Sequence, residues 1–322
     1  MAKKLGLERI NGKFRGKNIL SLDQFSQKDL QIVFTKTRKL KENNPRKGLN
    51  LLKGNIVTLL FFEPSTRTFS SFAVAAKRLG AQTLELTDPM KVSSFVKGES
   101  MSDAIKVLNA YSDLLIIRHP VRGSLQIAAD VSEVPVINAG DGIGEHPTQA
   151  LLDLFTIHEK FGRLNNLAGL MAGDMLNGRT VHSLIRGLAK FPNNKIYLLS
   201  PRKLRLSKKD FENFQKQGIE LAEIYKDSDI PKNLDFWYWT RVQKERFRSL
   251  KDYNRVKNKF ILNKKLIDKY AGKKTIFMHP LPRVGEILEE VDEDERAVNL
   301  SSEIKNGMFV RKALLSLGLE RK

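Results

Sequence analysis

Short apolar runs alternate with helical patterns along most of this 322-residue chain, and this alternation most constrains its fold. Runs such as Leu114-Leu115-Ile116-Ile117 are apolar throughout, as in strands whose sheet is covered on both faces. Strands that alternate with helices indicate parallel sheets, so we predict an α/β fold with mainly parallel central sheets flanked by helices. The predicted strands span 56–62, 83–86, 114–118, 134–138, 167–172, 196–199, 235–239 and 275–278, and helical patterns include 101–109, 148–161, 180–191 and 209–216.

Length and one glycine-rich loop indicate two domains. A chain of 322 residues can bury two separate cores. Loop 138–144 is the richest in glycine, and a long helical pattern follows it, so we expect one domain over residues 1–150 and another over 151–304. Because open α/β sheets bind ligands at the carboxyl ends of their strands, we expect the active site in a cleft between the two domains.

Composition excludes several classes of protein. The chain has no cysteine, which excludes disulfides and thiol nucleophiles and fits a reducing compartment, so we expect a cytoplasmic location. No apolar run reaches the length of a membrane span, and the first residues lack the apolar core of a secretory signal. The formal charge of +20 raises nucleic-acid binding as an alternative. No nucleic-acid motif or aromatic platform accompanies the charge, so we expect no nucleic-acid partner and no membrane partner.

The segment 61–68 has the pattern of an anion site. Pro64 ends a predicted strand because it has no N–H for the sheet ladder, and Ser65 stands where a helix N-cap belongs. Thr66, Arg67 and Thr68 follow in the first helical turn. Free N–H groups at a helix start, hydroxyls and a guanidinium fork together suit a tetrahedral oxyanion. An ordinary capped helix start that binds only water remains the alternative.

Further polar clusters follow other predicted strands. Each of them, seen alone, favours a helix cap or a surface residue over a ligand site. Four arginines at strand ends together suggest a pocket for two substrates that carry several negative charges. Five histidines show no metal-ligand spacing, so we expect no metal. The clusters are Arg118-His119-Pro120, His146 with Gln149, Gly173-Asp174, Arg179, and Arg241 with Gln243.

Taken in order along the chain, these motifs resemble the aspartate/ornithine carbamoyltransferase family. The resemblance covers nearly the whole chain. The ornithine enzymes typically have His-Cys-Leu-Pro where this chain has His279-Pro280-Leu281-Pro282, and the segment 241–246 is basic, which suits a dicarboxylate. The resemblance therefore implies transfer of a carbamoyl group from carbamoyl phosphate to L-aspartate, in two α/β domains, without a cofactor. The matching segments are 61–68, 97–99, 118–120, 138–142, 146–153, 178–183, 241–246 and 279–283.

The resemblance also implies the role of each site residue. The phosphate would be held by Ser65, Thr66, Arg67 and Thr68. The carbonyl oxygen of carbamoyl phosphate would contact Thr68, Arg118 and His146, and its amide nitrogen would contact Gln149. The carboxylates of aspartate would contact Arg179, Arg241 and Gln243, and the incoming amine would contact backbone carbonyls of Leu281 and Pro282.

The family further implies a homotrimer with shared active sites. Ser93 and Lys97 would lie on a mobile loop that reaches a neighbouring subunit, although Ser94 is an alternative to Ser93 as the loop ligand. A helix over about 305–322 would pack back onto the first domain. A regulatory chain that builds a larger assembly stays open, as does a basic scaffold protein that keeps the fold without activity.

Overall fold

Two parallel sheets organise the chain in this computed structural model, which describes residues 7–42, 49–92, 94–142, 144–247 and 249–319. The predicted α/β class is confirmed. One unit comprises Met1–Leu152 and Asn306–Lys322, and the other comprises Asp153–Lys305. No helix in the described part of the chain is long and apolar enough to span a membrane.

The first unit contains a parallel sheet with the strand order β2-β1-β3-β4. Its strands are β1 (Ile56–Phe61), β2 (Gln82–Thr87), β3 (Leu114–His119) and β4 (Val136–Asp141). Its helices include α1 (Gln27–Glu42), α2 (Thr66–Arg78), α3 (Pro89–Val92), α4 (Met101–Asn109) and α5 (Ser124–Val131), and α6 (Pro147–Phe161) begins in this unit.

The second unit contains a parallel sheet with the strand order β7-β6-β5-β8-β9. Its strands are β5 (Ala168–Ala172), β6 (Lys195–Leu199), β7 (Glu220–Ile224), β8 (Phe236–Trp239) and β9 (Ile276–Met278). Its helices include α7 (Arg179–Leu188), α8 (Lys208–Lys216), α9 (Leu250–Val256) and α10 (Lys264–Tyr270), and α11 (Ser302–Leu319) begins here and ends in the first unit.

Helix α2 shows how local sequence builds the fold. Phe72, Ala73, Ala76 and Leu79 recur at helical spacing, and all four side chains are buried. Gly80 follows the C-cap with φ of 88°, a left-handed conformation that glycine adopts without the steric cost of a Cβ atom. Apolar periodicity therefore sets the buried face of α2, and glycine sets its end.

Each sheet reverses its winding direction at one point. In the first unit the chain passes from β1 to β2 on one side and then returns to place β3 on the other side of β1. In the second unit β5 lies in the same way between β6 and β8. The loops that leave two such strands diverge, and the crevice between them is where open α/β sheets bind ligands.

Candidate active site

The start of α2 lies at the switch point of the first sheet. Phe61 is paired with Arg118 of β3, and the N–H of Phe62 donates to the Arg118 carbonyl over 2.9 Å. Ser65 occupies the N-cap position, as predicted, but its side chain makes no capping bond to the helix. Its Oγ accepts instead from Nη1 of Arg118 at 3.4 Å. This leaves the first-turn N–H groups without the predicted cap.

Arg118 is the most buried cation of this cluster. Its side chain is 13% exposed, and its Nε donates to Oε2 of Glu63 over 3.2 Å. Burial lowers the pKa of Arg118, and the Glu63 carboxylate partly offsets that effect. Arginine stays charged under such a shift because its reference pKa is so high. The guanidinium is therefore a fixed positive charge beside the start of α2.

The remaining predicted phosphate ligands surround the same helix start. Thr66 and Arg67 are exposed, whereas Thr68 is 7% exposed. A cavity of about 300 Å³ lies beside them, at the small end of the range for ligand pockets. Its lining comes from the ends of β1 and β2 and from the start of α2: Phe61, Glu63, Pro64, Ser65, Thr66, Phe69, Thr87 and Asp88.

His146 and Gln149 lie at the start of α6, just after β4. Both are buried, and the Gln149 N–H donates to the His146 carbonyl over 3.0 Å. The loop before them approaches the end of β3, where the Gly142 N–H donates to the His119 carbonyl over 2.8 Å. A Cβ atom at Gly142 would lie 2.4 Å from the Pro120 carbonyl oxygen. Only glycine therefore permits the loop between β4 and α6 to approach the end of β3 this closely.

Lys97 ends a short 3-10 helix, Ser94–Lys97, and its side chain is exposed. The ring of Phe95, two residues earlier, packs edge-on against Phe62 with centroids 5.0 Å apart. That contact anchors the base of the loop next to the end of β1. The predicted ligand Ser93 lies outside the described residues, so the choice between Ser93 and Ser94 stays open.

The switch point of the second sheet holds a second polar cluster. The ends of β5 and β8 approach so closely that a Cβ atom at Gly173 would lie 2.1 Å from the Thr240 carbonyl oxygen. Asp174, fully buried, accepts from the N–H of Asn177 over 2.9 Å. Burial raises the pKa of Asp174, and the hydrogen bonds from Asn177 and Gln243 only partly offset it. Nε2 of Gln243 in turn donates to the Asn177 carbonyl over 2.9 Å.

Two arginines flank this cluster. Arg179 is the first residue of α7, and its N–H donates to the Asn177 carbonyl over 2.9 Å. Arg241 follows β8, and its Nη1 donates to Oε2 of Glu245 over 3.0 Å. The hydrogen bonds with Glu245 raise the pKa of Arg241. Because Gln243 donates to the Asn177 carbonyl, the segment that carries Arg241 contacts the loop that precedes Arg179.

The segment after β9 carries the last two predicted ligands. Leu281 is half-buried, Pro282 is exposed, and the peptide bond between them is cis. His279 and Glu286 lie beneath this turn, and their side chains are only 1% and 5% exposed. Burial alone would raise the pKa of Glu286, but hydrogen bonds from His279 and Val284 hold it below the usual value.

Sequence reasoning identified the cations of both clusters but not their acidic partners. Glu63 and Glu286 received no role, and Asp174 was noted only as a polar residue at a strand end. Glu245 stands four residues after Arg241, but the segment between them is not an α-helix, so the helical spacing rule gave no signal for this ion pair. No group of three or more histidines or carboxylates is placed to hold a metal ion within the described residues.

Two family models together match most of the chain. Residues 17–159 match the family model for the aspartate/ornithine carbamoyltransferase carbamoyl-P binding domain, and residues 165–317 match the model for its Asp/Orn binding domain. The chain is 40% identical to the aspartate carbamoyltransferase catalytic subunit of Methanocaldococcus jannaschii over 94% of this chain and 98% of that protein. It is 45% identical to the multifunctional protein URA2 of Saccharomyces cerevisiae over 97% of this chain, but it spans only 14% of that relative's length.

A solved structure of similar fold is aspartate transcarbamoylase from Trypanosoma cruzi in complex with carbamoyl phosphate and aspartate. The TM-score is 0.88 at 36% sequence identity, and the match covers 98% of this chain and all of that one.

Proposed function

The chain belongs to the aspartate/ornithine carbamoyltransferase family, and from this membership we propose that it carbamoylates L-aspartate with carbamoyl phosphate. The products would be N-carbamoyl-L-aspartate and phosphate, an early step of pyrimidine biosynthesis. The observation that best supports this proposal is the presence of one cationic cluster at the switch point of each sheet. Two anionic substrates require two such sites, and each cluster is built from residues far apart in the sequence.

In the first unit we assign the carbamoyl phosphate site. The first turn of α2 offers backbone N–H groups to the phosphate, and Arg67 adds a guanidinium fork. Arg118 lies at 3.4 Å from the Ser65 hydroxyl, so its charge falls beside the same helix start. The assigned phosphate ligands are Ser65, Thr66, Arg67 and Thr68, and the assigned carbamoyl ligands are Thr68, Arg118, His146 and Gln149.

In the second unit we assign the aspartate site. Arg179, Arg241 and Gln243 would bind the two carboxylates, and the carbonyls of Leu281 and Pro282 would accept hydrogen bonds from the α-amino group. An ornithine site would need an acidic group free to face an ammonium, whereas the acid beside Arg241, Glu245, is hydrogen-bonded to that arginine. The charge of the cluster therefore favours a dicarboxylate.

Catalysis would rest on placement and electrostatics. The neutral amino group of aspartate attacks the carbamoyl carbon, and the carbonyl oxygen gains negative charge. Phosphate then leaves with the bonding electrons and takes the proton that the nitrogen loses. Fixed donors that face the developing charge typically contribute 100- to 1,000-fold each, or roughly 3–4 kcal/mol. Arg118 and His146 would face the carbonyl oxygen, and Arg67 would face the departing phosphate. The reaction needs no nucleophile from the protein.

Arg67→Ala is the direct test of this assignment. We expect turnover to fall on the order of 100- to 1,000-fold with an unchanged circular dichroism spectrum, because Arg67 is exposed and its loss removes one charged donor. Arg38→Ala, which removes an exposed arginine of α1, is the matched control. Carbamoyl aspartate is measured with purified protein. Normal turnover in Arg67→Ala refutes the assignment.

Absence of product from the unaltered protein, with salt-sensitive nucleic-acid binding, favours the scaffold alternative.

We also propose a cytoplasmic homotrimer with shared active sites, to which Lys97 contributes from a neighbouring subunit. The exposure of Lys97 and the anchored loop base support this role. Mixing inactive Arg67→Ala and Lys97→Ala subunits should restore part of the activity if sites are shared, because some sites then contain no altered residue. No recovery in exchanged mixtures argues against sharing, and a native mass below that of a trimer argues against the assembly. Whether a regulatory chain joins this assembly stays open.

A further inference from the structure

We infer that His279 and Glu286 form a buried clamp that sets the backbone of the turn at Leu281 and Pro282, and thereby positions the carbonyls that receive the amino group of aspartate. This inference rests on the proposed function, because it needs the turn to contact substrate. His279 and Glu286 are positioning residues: both lie beneath the turn and act through its backbone.

The ring of His279 holds the turn through one defined tautomer. The backbone N–H of Leu281 lies 2.7 Å from Nδ1 of His279. A backbone N–H can only donate, so Nδ1 must carry a lone pair and Nε2 must carry the proton. Nε2 lies 2.7 Å from Oε1 of Glu286 and donates to it. The carboxylate thus selects the tautomer that can accept from Leu281.

Glu286 holds the far end of the same turn. Its Oε2 accepts from the N–H of Val284 over 3.0 Å. One carboxylate therefore receives two donors, one from the His279 ring and one from the backbone. The near end is also fixed, because the N–H of His279 donates to Oε2 of Glu303 over 3.1 Å. The turn is bound at its start, middle and end by three buried side-chain acceptors.

The conformation of Leu281 explains why such a clamp is needed. Its φ is 55°, a left-handed conformation that side chains with a Cβ atom rarely adopt. Such a conformation persists only where the surroundings determine it, and this happens most often at ligand sites. The hydrogen bond from the Leu281 N–H to His279 is one interaction that favours it.

Glu286→Gln tests the clamp with almost no change in volume. A glutamine has one acceptor oxygen and one donor NH₂ group, so it cannot accept from both His279 and Val284. If NH₂ faces the ring, Nε2 must become the acceptor, Nδ1 gains the proton, and the Leu281 N–H loses its acceptor. If the NH₂ group faces Val284, it meets the backbone N–H of Val284, and neither donor has an acceptor. Either arrangement displaces the turn.

We expect Glu286→Gln to raise KM for aspartate and to lower kcat, each on the order of 10- to 100-fold, because misplacement by about 1 Å can have that effect. Binding of carbamoyl phosphate, measured by calorimetry, should stay unchanged, since that site is assigned to the other unit. Glu293→Gln, which changes an exposed glutamate seven residues after Glu286, is the matched control and should behave as the unaltered protein. Glu286→Gln with unaltered KM and kcat overturns the inference. Loss of carbamoyl phosphate binding together with aspartate binding overturns it too, because that pattern indicates general misfolding. An unaltered protein that makes no product refutes the proposed function instead.

A second measurement needs no variant. Nitrogen-15 NMR of the histidine-labelled protein reports the tautomer of each ring, and disappearance of one signal in a His279→Gln sample assigns it. We expect the His279 ring to be neutral with its proton on Nε2. A proton on Nδ1, in the neutral or the charged ring, removes the acceptor for Leu281 and overturns the inference even if Glu286→Gln fails to fold.

Discussion

Lys312→Met should stabilise the protein, because α11 buries the ammonium group of Lys312 without a hydrogen-bond partner. The residue is 0% exposed, and its Nζ has no such partner in the part of the chain that the structure describes. The ring of Phe309 lies 5.6 Å from Nζ, and the positive charge of Arg78 acts on the group as well. Burial, followed by repulsion from Arg78, lowers the pKa of Lys312.

The expected gain follows from what methionine removes. A buried donor without an acceptor costs about 1–3 kcal/mol, and a charged one costs more. Methionine is unbranched, similar in reach and apolar, so it can fill the same space without that penalty. The cation–π contact with Phe309 offsets part of the gain, by roughly 0.5–1 kcal/mol. We expect a net stabilisation of about 1–2 kcal/mol, or about 2–8 °C in Tm for a domain of 150–250 residues.

The pH dependence provides a sharper test. A lysine whose pKa is lower in the folded state binds fewer protons there than in the unfolded chain, over the range between the two pKa values. Within that range, unfolding takes up protons, so the unfolding free energy rises with pH. The penalty at Lys312 is therefore complete below the folded-state pKa and disappears as pH approaches the unfolded value of about 10.4. The advantage of Lys312→Met should shrink as pH rises towards 10.

Urea unfolding at several pH values, monitored by the circular dichroism of the backbone, measures both effects. Lys305→Met changes an exposed lysine of the same helix and serves as the control, for which we expect less than about 0.5 kcal/mol. A Lys312→Met protein that is less stable than the unaltered one at pH 7 refutes the reasoning. An advantage that grows with pH refutes it as well, because it has the wrong sign for a buried amine.

Two other substitutions separate stability from activity. Ser207→Ala removes the N-cap of α8, where Oγ accepts from the Asp210 N–H over 3.1 Å, and should cost about 1 kcal/mol in urea unfolding with unaltered turnover. A large loss of turnover there would contradict its purely structural role. Asp174→Ala removes the buried carboxylate that accepts from the half-buried Asn177 N–H, so we expect a loss of about 1–3 kcal/mol and a raised KM for aspartate in steady-state assays. An unaltered KM would separate Asp174 from the aspartate site.

Sequence patterns identified β1, β3, β4, β5, β8 and β9 because most of their residues are apolar and buried, whereas β2 was identified although none of its residues is buried. The run within β3 is apolar and buried, as its composition predicts. Helix α4 spans Met101–Asn109, as predicted, and begins after Ser100, whose side chain accepts from the Asp103 N–H. Strand β7 (Glu220–Ile224) was missed. It lies at the sheet edge with charged and apolar residues interspersed, so only Leu221 and Ile224 are buried and the apolar run is too short to recognise.

The residues of the proposed site could be recognised from sequence where their chemistry is visible in their own segment. The cations and hydroxyls at strand ends were found in this way. Their partners were not, because Glu63 and Arg118 are 55 positions apart and meet only through the pairing of β1 with β3. Ser65 shows the same limit. Local rules predict a capping bond, but the neighbouring strand brings Arg118 to its hydroxyl, and that tertiary contact replaces the cap.

The acidic partners of these arginines do not prevent anion binding. A guanidinium has five N–H donors in a planar fork. Among the described residues, Glu63 and Ser65 receive one each from Nε and Nη1 of Arg118, so donors on Nη2 and a second on Nη1 remain there for an anion. A buried guanidinium without a carboxylate would be costly, and one that could rotate would lose entropy on binding. Glu63 therefore fixes the plane of the fork and reduces the cost of its burial, while the edge that Glu63 does not contact stays available for the proposed substrate. By this reasoning, replacing Glu63 should weaken substrate binding, even though it removes a negative charge from an anion site.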